Sequence, residues 1–195
     1  MGYRTKEQLM KAYHDMTVEN PSGRITVVDL CTKCHIRRQT FYNYFSDIPD
    51  LVLQYCIQQI REGSRHSRRH ADWQKVMQSA LAYCYTDSRF IQAVLSTDAK
   101  DRLIQYSHAR MHDFLCGHIE AVTAETALST LQKDYLCRYH QHALAGIITD
   151  WFVRGMKEDP ETVIDLMDDI LKDSLSSAIG NFQARNDLFG MPECI

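Results

Sequence analysis

The ten-residue segment IRRQTFYNYF, residues 36–45, combines two arginines, two amides and four aromatic rings. A buried segment rarely carries adjacent arginines such as Arg37 and Arg38, and a solvent-facing one rarely carries so many rings. Arginine and amide side chains bond base edges in a major groove, and tyrosine hydroxyls bond phosphate oxygens. The segment therefore indicates a surface that binds duplex DNA.

Helical geometry sorts these side chains into two sets. On a helix over Arg38–Phe45, Phe41 and Phe45 lie about 40° apart and form an inward face. Gln39 and Asn43 lie one turn apart and point to the opposite side. The alternative is a solvated helix of an ordinary bundle, in which the two amides only aid solubility, because such patterns are degenerate.

The residues before this segment predict two helices that would position it. The first runs over about Thr5–Val18 and ends before NPSG, residues 20–23, a type I turn pattern. The second begins at Thr26, whose hydroxyl has capping-box spacing to the carboxylate of Asp29. It then carries one apolar stripe, formed by Val27, Leu30, Cys31 and Cys34. Together with a short turn and the third helix, it makes a helix-turn-helix.

The rest of the chain also predicts helices and no strands. A fourth helix begins near Asp47 and Pro49, since proline is tolerated in a first turn. Longer helices are predicted over about 73–85, 89–96, 100–122, 131–156 and 161–182. The fold class is therefore all-α, with an N-terminal three-helix helix-turn-helix domain and a larger C-terminal helical bundle.

The last predicted helix opens with Asp159 as its cap and Pro160 in its first turn. Its apolar residues cover more than one narrow stripe, so the helix must bury two faces. Either it is a central core helix, or it packs on the core with one side and on a second subunit with the other. The apolar residues are Val163, Leu166, Met167, Ile170, Leu171, Leu175, Ala178, Ile179 and Phe182.

Charge is distributed unevenly along the chain. Residues 1–70 hold 11 Lys+Arg and 7 Asp+Glu, whereas residues 71–195 hold 11 and 18, so the two parts carry +4 and −7. A basic N-terminal part on an acidic body is expected if only one end meets a polyanion. No apolar run approaches the ~18 residues of a membrane span.

The cysteines argue against a secreted disulfide framework. They number seven, an odd count scattered along the chain, and a reducing cytoplasm is the simplest location. The motif CTKC, Cys31 to Cys34, invites a metal or redox interpretation, but a zinc site needs about four ligands and no second closely spaced pair follows nearby. Both sulfurs lie on the apolar stripe, so we interpret them as core residues and expect no metal and no cofactor.

The segment RITVVDLCTKCHIRRQTFYNYFSDIPDLV, residues 24–52, resembles the DNA-binding region of TetR-type (TetR/AcrR) transcriptional regulators. Their signature runs T-F-Y-x-Y/H-F after a two-helix approach. The segment HALAGIITDWFVRGMKEDPETVIDLMDDIL, residues 142–171, also resembles the C-terminal helix pair of a subgroup that includes activators of dihydroxyacetone kinase operons.

The resemblance implies a homodimer with two recognition helices in successive major grooves, and an effector pocket among the C-terminal helices, which also serve dimerisation. We accordingly predict a DNA-binding domain over 1–47, a connecting helix and basic segment over 48–70, and an effector and dimerisation domain over 71–195. By position in the motif, the residues implied to contact phosphates or bases are Thr26, Arg37, Arg38, Gln39, Thr40, Tyr42, Asn43 and Tyr44.

Three residues depart from the family pattern. His35 stands where a turn glycine is frequent, which predicts a slightly strained turn. Arg37 occupies the usual Ser or Thr cap of the recognition helix, which gives up about 1 kcal/mol of capping. Ile48 replaces a frequent lysine and removes one phosphate contact.

A second group of residues could line the effector pocket. His108, Met111 and His112 share one long predicted helix, and the i, i+4 histidines could also meet a metal, although ordinary core or surface positions are the simpler interpretation. The candidate pocket residues are Tyr83, Phe90, His108, Met111, His112, Tyr139 and Trp151. No phosphate loop, nucleophile elbow or paired-carboxylate motif appears, so we expect no enzyme.

These observations predict a cytoplasmic, homodimeric regulator that binds an operator in double-stranded DNA under the control of an effector. The main alternative is a regulator-like adaptor controlled by a protein partner instead of a small molecule. A helical metal-binding enzyme is a more distant alternative.

Overall fold

The computed structural model describes residues 2–63 and 73–189, and within these ranges the chain is helical without strands. This confirms the predicted all-α class. The helices are α1 Gly2–Glu19, α2 Val27–Lys33, α3 Arg38–Tyr42, α4 Ile48–Gly63, α5 Trp73–Thr86, α6 Ser88–Val94, α7 Ala99–Val122, α8 Thr130–Val153 and α9 Pro160–Phe189. None of the described helices is long and apolar enough to cross a membrane.

The chain packs as two compact units, residues 1–105 and 106–195. The first contains α1–α6 and the first turns of α7, and the second contains the rest of α7 with α8 and α9. The domain boundaries predicted at residues 47 and 70 stay predictions, and residues 64–70 of the connecting segment lie outside the described residues.

The first unit is built around α1. Its residues Leu9, Met10 and Tyr13 are buried, and the edge of the Tyr13 ring meets Phe90 of α6 with 6.3 Å between centroids. The hydroxyl of the buried Thr17 donates to the Tyr13 carbonyl at 2.8 Å, which satisfies a polar group that burial would otherwise penalise. α1 packs on α2 as well as on α6, so it supports the helix-turn-helix.

The turn between α2 and α3 is a left-handed helix end of the Schellman type. The Ile36 N–H donates to the Cys31 carbonyl at 3.0 Å, and the His35 N–H donates to the Thr32 carbonyl at 3.2 Å. His35 itself has φ = 54°, in the left-handed region that favours glycine. The predicted strain is confirmed, since this residue keeps a Cβ where glycine would have none.

Several helix ends differ from the prediction: α9 runs on to Phe189, beyond the predicted residue 182, and two other ends have a clear physical cause. α3 ends at Tyr42 and not at Phe45, because the Tyr44 N–H donates to the carbonyl three residues back, on Phe41, and the chain tightens toward α4. α8 ends at Val153 and not at residue 156, because Gly155, with φ = 84°, forms a second Schellman end. There the Met156 N–H bonds the Trp151 carbonyl at 2.8 Å.

In the second unit, α9 has one buried and one exposed apolar face. Met167, Leu171 and Leu175 are buried, whereas Leu166 and Ile170 are 59% and 55% exposed. The helix begins as predicted, with the Asp159 carboxylate accepting the Thr162 N–H at 2.9 Å. Of the two alternatives for this helix, burial on all sides within the chain is wrong.

The strained turn yields a test of the fold. His35→Gly should raise the free energy of unfolding by up to about 1 kcal/mol, because it removes the Cβ from a left-handed position at some cost in unfolded-chain entropy. Urea unfolding measures the difference. His35→Ala is the matched control, since it removes the imidazole and keeps the Cβ; an equal gain in both variants would contradict backbone strain as the cause.

Candidate nucleic-acid interface

Two phenylalanines seat α3 in the first unit. Phe41 is 0% and Phe45 1% exposed, with 5.6 Å between ring centroids, and the Lys6 ammonium of α1 lies 5.7 Å from the Phe45 ring. Although Phe45 lies beyond the end of α3, its N–H still donates to the Phe41 carbonyl at 3.1 Å, which preserves the one-turn relation. The predicted inward face is confirmed.

The opposite side of this segment is exposed. Arg37, Arg38, Gln39 and Asn43 are all exposed, and their side chains make no hydrogen bond or ion pair with a residue that the structure describes. Tyr42 is 54% exposed, and its ring stands edge-on to Phe41. The predicted amide face therefore lies outward with donors and acceptors available to a ligand.

The remaining two candidates in this segment are half-buried. Thr40 lies within α3, and Tyr44 follows in the turn with its ring centroid 6.4 Å from that of Phe45. Seven of the eight candidate DNA contacts thus belong to one continuous stretch of chain, and only Thr26 comes from another element.

The turn that precedes α3 is held on α1. The Gln8 side-chain amide donates to the Cys34 carbonyl at 3.5 Å, and the Cys34 thiol points back to the Gln8 carbonyl at 3.9 Å. Burial raises the pKa of both Cys31 and Cys34, and both thiols are free. The interpretation of CTKC as core is confirmed.

Arg37 is the N-cap residue of α3 and makes no side-chain capping hydrogen bond. The expected loss of a cap is therefore present, but it leaves the guanidinium in solvent at a helix N-terminus. There, backbone N–H groups and the guanidinium together favour an anion such as a phosphate.

Thr26 forms the predicted capping box at the start of α2. Its hydroxyl accepts from the Asp29 N–H at 3.3 Å and donates to the Asp29 carboxylate at 2.6 Å, while its N–H donates to the same carboxylate at 2.9 Å. These hydrogen bonds lower the pKa of Asp29. The hydroxyl proton and the backbone N–H of Thr26 are thus both engaged within the protein, so a phosphate contact would have to replace one of these bonds.

An ion pair holds the connection between α3 and α4. Arg102, at the start of α7, donates from Nη1 and Nη2 to the two oxygens of Asp47, each at 3.0 Å. Oδ1 of Asp47 also caps α4 by accepting the Asp50 N–H at 2.7 Å. Both partners are about two-fifths exposed, so the pair is worth at most about 1 kcal/mol, and its importance is positional.

The candidate pocket residues are divided between the two units. In the first, Tyr83 donates to Asp87 at 3.4 Å, and burial raises the pKa of its hydroxyl. Phe90 is fully buried against Tyr13 and Tyr55. A cleft of about 360 Å³ lies between α1 and α4, and none of the seven candidates lines it.

The other five candidates lie in the second unit. Met111 is buried and His108 is half-buried on α7, while on α8 Tyr139 is 67% exposed and Trp151 is buried with its indole N–H donating to the Glu158 carbonyl at 2.9 Å. Their assignment to an effector pocket stays a prediction.

Two cysteines that the sequence does not single out lie beside His112. Cys116 and Cys137 form a disulfide beside it, and the ligand atoms of the three residues lie within 4.8 Å of one another. Such a group could hold a soft metal ion only as free thiols. The i, i+4 spacing of His112 and Cys116 is a signal for two of these three residues, but nothing local in the sequence connects either of them to Cys137.

Comparison with known proteins identifies the family of this chain. Residues 71–173, just over half of the chain, match the TetR_C_8 family, described as the C-terminal region of transcriptional regulators. The chain is a member of the TetR family of transcriptional regulators. The resemblance noted from the helix-turn-helix segment is thereby confirmed by a match in the other part of the chain.

The chain is similar to DhaS activators in both sequence and structure. It is 27% identical over 154 residues to the HTH-type dhaKLM operon transcriptional activator DhaS of Lactococcus lactis subsp. lactis (strain IL1403), which covers 77% of this chain and 81% of that protein. The structure of the dihydroxyacetone kinase operon activator DhaS superposes with a TM-score of 0.67 at 24% identity, over 88% of this chain and 96% of that one.

A more distant structure shares the fold alone. The fatty acid degradation regulator FadR from Bacillus halodurans superposes with a TM-score of 0.53 at 12% identity, over 85% of this chain and 96% of that chain. The all-helical architecture is therefore common to regulators with little sequence in common.

The capping box of this TetR-family regulator can be tested directly. Thr26→Val should lower the free energy of unfolding by about 1 kcal/mol at neutral pH, the usual cost of a lost N-cap. Because the folded-state pKa of Asp29 is lowered, the stabilisation is present above the ordinary carboxyl pKa and is lost as pH falls through the lowered one. Urea unfolding at neutral and acidic pH should therefore show a difference in the free energy of unfolding between wild type and Thr26→Val that is smaller in acid.

Thr26→Ser is the matched control for this test, since serine keeps the hydroxyl at both bonds. A gap between wild type and Thr26→Val that is equally large in acid would show that the carboxylate of Asp29 plays no part.

Proposed function

We propose that this regulator acts as a homodimer that binds an operator in double-stranded DNA and responds to an effector. The observation that carries the proposal is the exposed amide and guanidinium face of the α3 segment, which has no hydrogen-bonding or ion-pairing partner among the described residues. Family membership supports it, because regulators of transcription act on DNA.

The candidate DNA contacts divide into two chemical roles. Gln39 and Asn43 carry amides that can bond adenine edges, and Arg38 can bond guanine or phosphate. Tyr42, Tyr44, Thr40 and Arg37 border this face with hydroxyl and cationic groups suited to phosphate oxygens. Base contacts would specify the sequence, and phosphate contacts would fix the register.

Exposed apolar residues of the second unit support self-association. Leu166 and Ile170 of α9 lie one turn apart in solvent, and on α8 Leu131, Tyr135 and Tyr139 recur every fourth residue with 63–67% exposure. Two helices of one unit with such faces bury them when a second copy covers them. A homodimer would also present two recognition helices to two half-sites, about 34–36 Å apart.

The similarity to DhaS supports activation of transcription, with a dihydroxyacetone kinase operon as the target class. The effector remains a proposal in two forms: a small molecule bound by the candidate pocket residues, or a protein partner. The exposed α8 stripe favours considering the second form, because a protein partner could use it as well. A cytoplasmic location follows from the proposed function.

Base and phosphate contacts predict different mutant phenotypes. Gln39→Ala should change the base preference at one position of each half-site, because it removes about 1–3 kcal/mol of discrimination against the wrong base there. Tyr42→Phe should instead weaken binding to all sequences alike. Selection of bound sequences from a random DNA pool measures both. Identical selectivity profiles for wild type and Gln39→Ala would remove the base-reading role, and Tyr42→Phe serves as the matched control.

The dimer can be tested without DNA. The double variant Leu166→Glu/Ile170→Glu should sediment as a monomer at concentrations at which wild type is a dimer, because two carboxylates would have to be buried unpaired. Val28→Glu is the matched control, since Val28 is an exposed aliphatic residue of the first unit. A wild-type monomer would contradict the proposed homodimer, and a double variant that stays dimeric would place the contact elsewhere.

A further inference from the structure

Cys116 of α7 and Cys137 of α8 are joined across the second unit. Their Cα atoms lie 5.5 Å apart, within the usual range for a disulfide, so the backbone need not move for the bond to form. They are separated by 21 residues along the chain. The other cysteines that the structure describes, Cys31, Cys34, Cys56 and Cys84, have free thiols.

An imidazole lies against this sulfur pair. His112 Nε2 is 3.5 Å from the Cys116 sulfur, and His112 Nδ1 is 3.6 Å from the Cys137 sulfur. Nδ1 also lies 2.9 Å from Oε1 of Gln141, whose Nε2 donates to the His108 carbonyl at 3.4 Å. Since the amide orientation puts its oxygen toward the ring, Nδ1 must donate, and the lone pair on Nε2 faces Cys116.

The two sulfurs differ in access. Cys116 and His112 are half-buried, whereas Cys137 is 1% exposed and its sulfur lies 3.8 Å from the His112 carbonyl. A small oxidant could reach Cys116 first, and Cys137 is already in position behind it. The arrangement therefore suits Cys116 as the cysteine that attacks the oxidant and Cys137 as the cysteine that resolves the product into a disulfide.

The free thiols lack a hydrogen-bonded imidazole in the described structure, although Cys84 is half-buried like Cys116. Burial raises the pKa of Cys31, Cys34, Cys56 and Cys84, for Cys84 to about 12, which keeps them as unreactive thiols. Proximity alone does not distinguish the pair, because Cys56 and Cys84 also lie close enough to interact electrostatically. The distinguishing feature is the ring nitrogen beside Cys116.

We propose that Cys116 and Cys137 are a reversible dithiol–disulfide pair that is oxidised by hydroperoxides, with Cys116 as the attacking thiol and His112 as its proton acceptor. The proposal concerns the second unit alone and does not depend on DNA binding.

The chemistry balances in two steps. Cys116 transfers its proton to His112 Nε2, and its thiolate attacks the hydroperoxide; an S–O bond forms, the O–O bond breaks, and the alcohol leaves with the proton from the imidazolium. The Cys137 sulfur then attacks the sulfenic acid; the S–S bond forms, the S–O bond breaks, and water leaves with the Cys137 proton. Two thiols lose two electrons, and the peroxide gains them. A thiol reductant reverses the bond by exchange.

The first experiment maps the oxidised residues. The full-length protein is reduced with dithiothreitol, exposed to limiting hydrogen peroxide, alkylated and digested for mass spectrometry. The 116–137 linkage should form first, with the four other described thiols alkylated, and dithiothreitol should restore both thiols under native conditions. Prior oxidation of Cys84, or a bond that dithiothreitol cannot open without unfolding, would overturn the proposal.

Single variants test the assigned order. Cys137→Ser should accumulate a sulfenic acid that dimedone traps at residue 116, and Cys84→Ser is the matched control that should oxidise like wild type. If the Cys116→Ser variant instead forms a dimedone adduct at Cys137, as fast as wild type is oxidised, then Cys137 is the attacking thiol and the assigned order is reversed. Circular dichroism checks that each variant is folded.

The role of His112 has its own readout. His112→Gln should slow peroxide oxidation by at least about tenfold near neutral pH and remove the imidazole-dependent step from the pH–rate profile. His118→Gln, on the same helix but outside the cluster of His112, Cys116 and Cys137, should keep both the wild-type oxidation rate and the imidazole-dependent step. An unchanged profile in His112→Gln removes the proton-acceptor role. Stoichiometric zinc bound by the reduced protein, with both thiols protected from peroxide, would identify a metal site and overturn the redox assignment.

Discussion

The placement of α3 depends on a balance between ring burial and a strained turn. Full burial of a phenylalanine is worth about 1.5–3 kcal/mol, so Phe41 and Phe45 together supply several kcal/mol. The left-handed conformation of His35 costs about 1–2 kcal/mol. Burial therefore outweighs strain, and the chain accepts a non-glycine residue at the turn because the two rings hold the helix that follows.

The same constraint determines what the surface offers. Because both rings face inward, Gln39 and Asn43 on the opposite side of the helix are exposed to solvent. The missing cap at Arg37 leaves a guanidinium and unpaired N–H groups at the start of α3. The segment gives up local stability at the position where an anionic ligand would restore it. Support comes from outside the segment, through Gln8 of α1 and through the Arg102–Asp47 pair at the exit.

Sequence reasoning succeeded where a signal is local and failed where it is not. The capping box of Thr26, the helix cap at Asp159, the buried CTKC sulfurs and the inward rings follow from spacings of three or four residues. The end of α8 was misplaced because hydrophobic periodicity continues past Gly155, whose positive φ stops the helix. The Cys116–Cys137 bond was not foreseen, because it joins two helices that only tertiary packing aligns.

The second unit has surfaces that its own packing does not use. On α9 the buried line through Met167 and Leu171 is enough to hold the helix on the unit, so the exposed Leu166 and Ile170 add nothing to the fold of a single chain. Leaving them in solvent forgoes burial that a second copy would restore. The disulfide lies elsewhere, between α7 and α8, and it constrains this unit through a bond that, in our proposal, a thiol reductant opens. The proposed association through α9 and the proposed oxidation at Cys116 thus involve different residues, and separate variants test each of them.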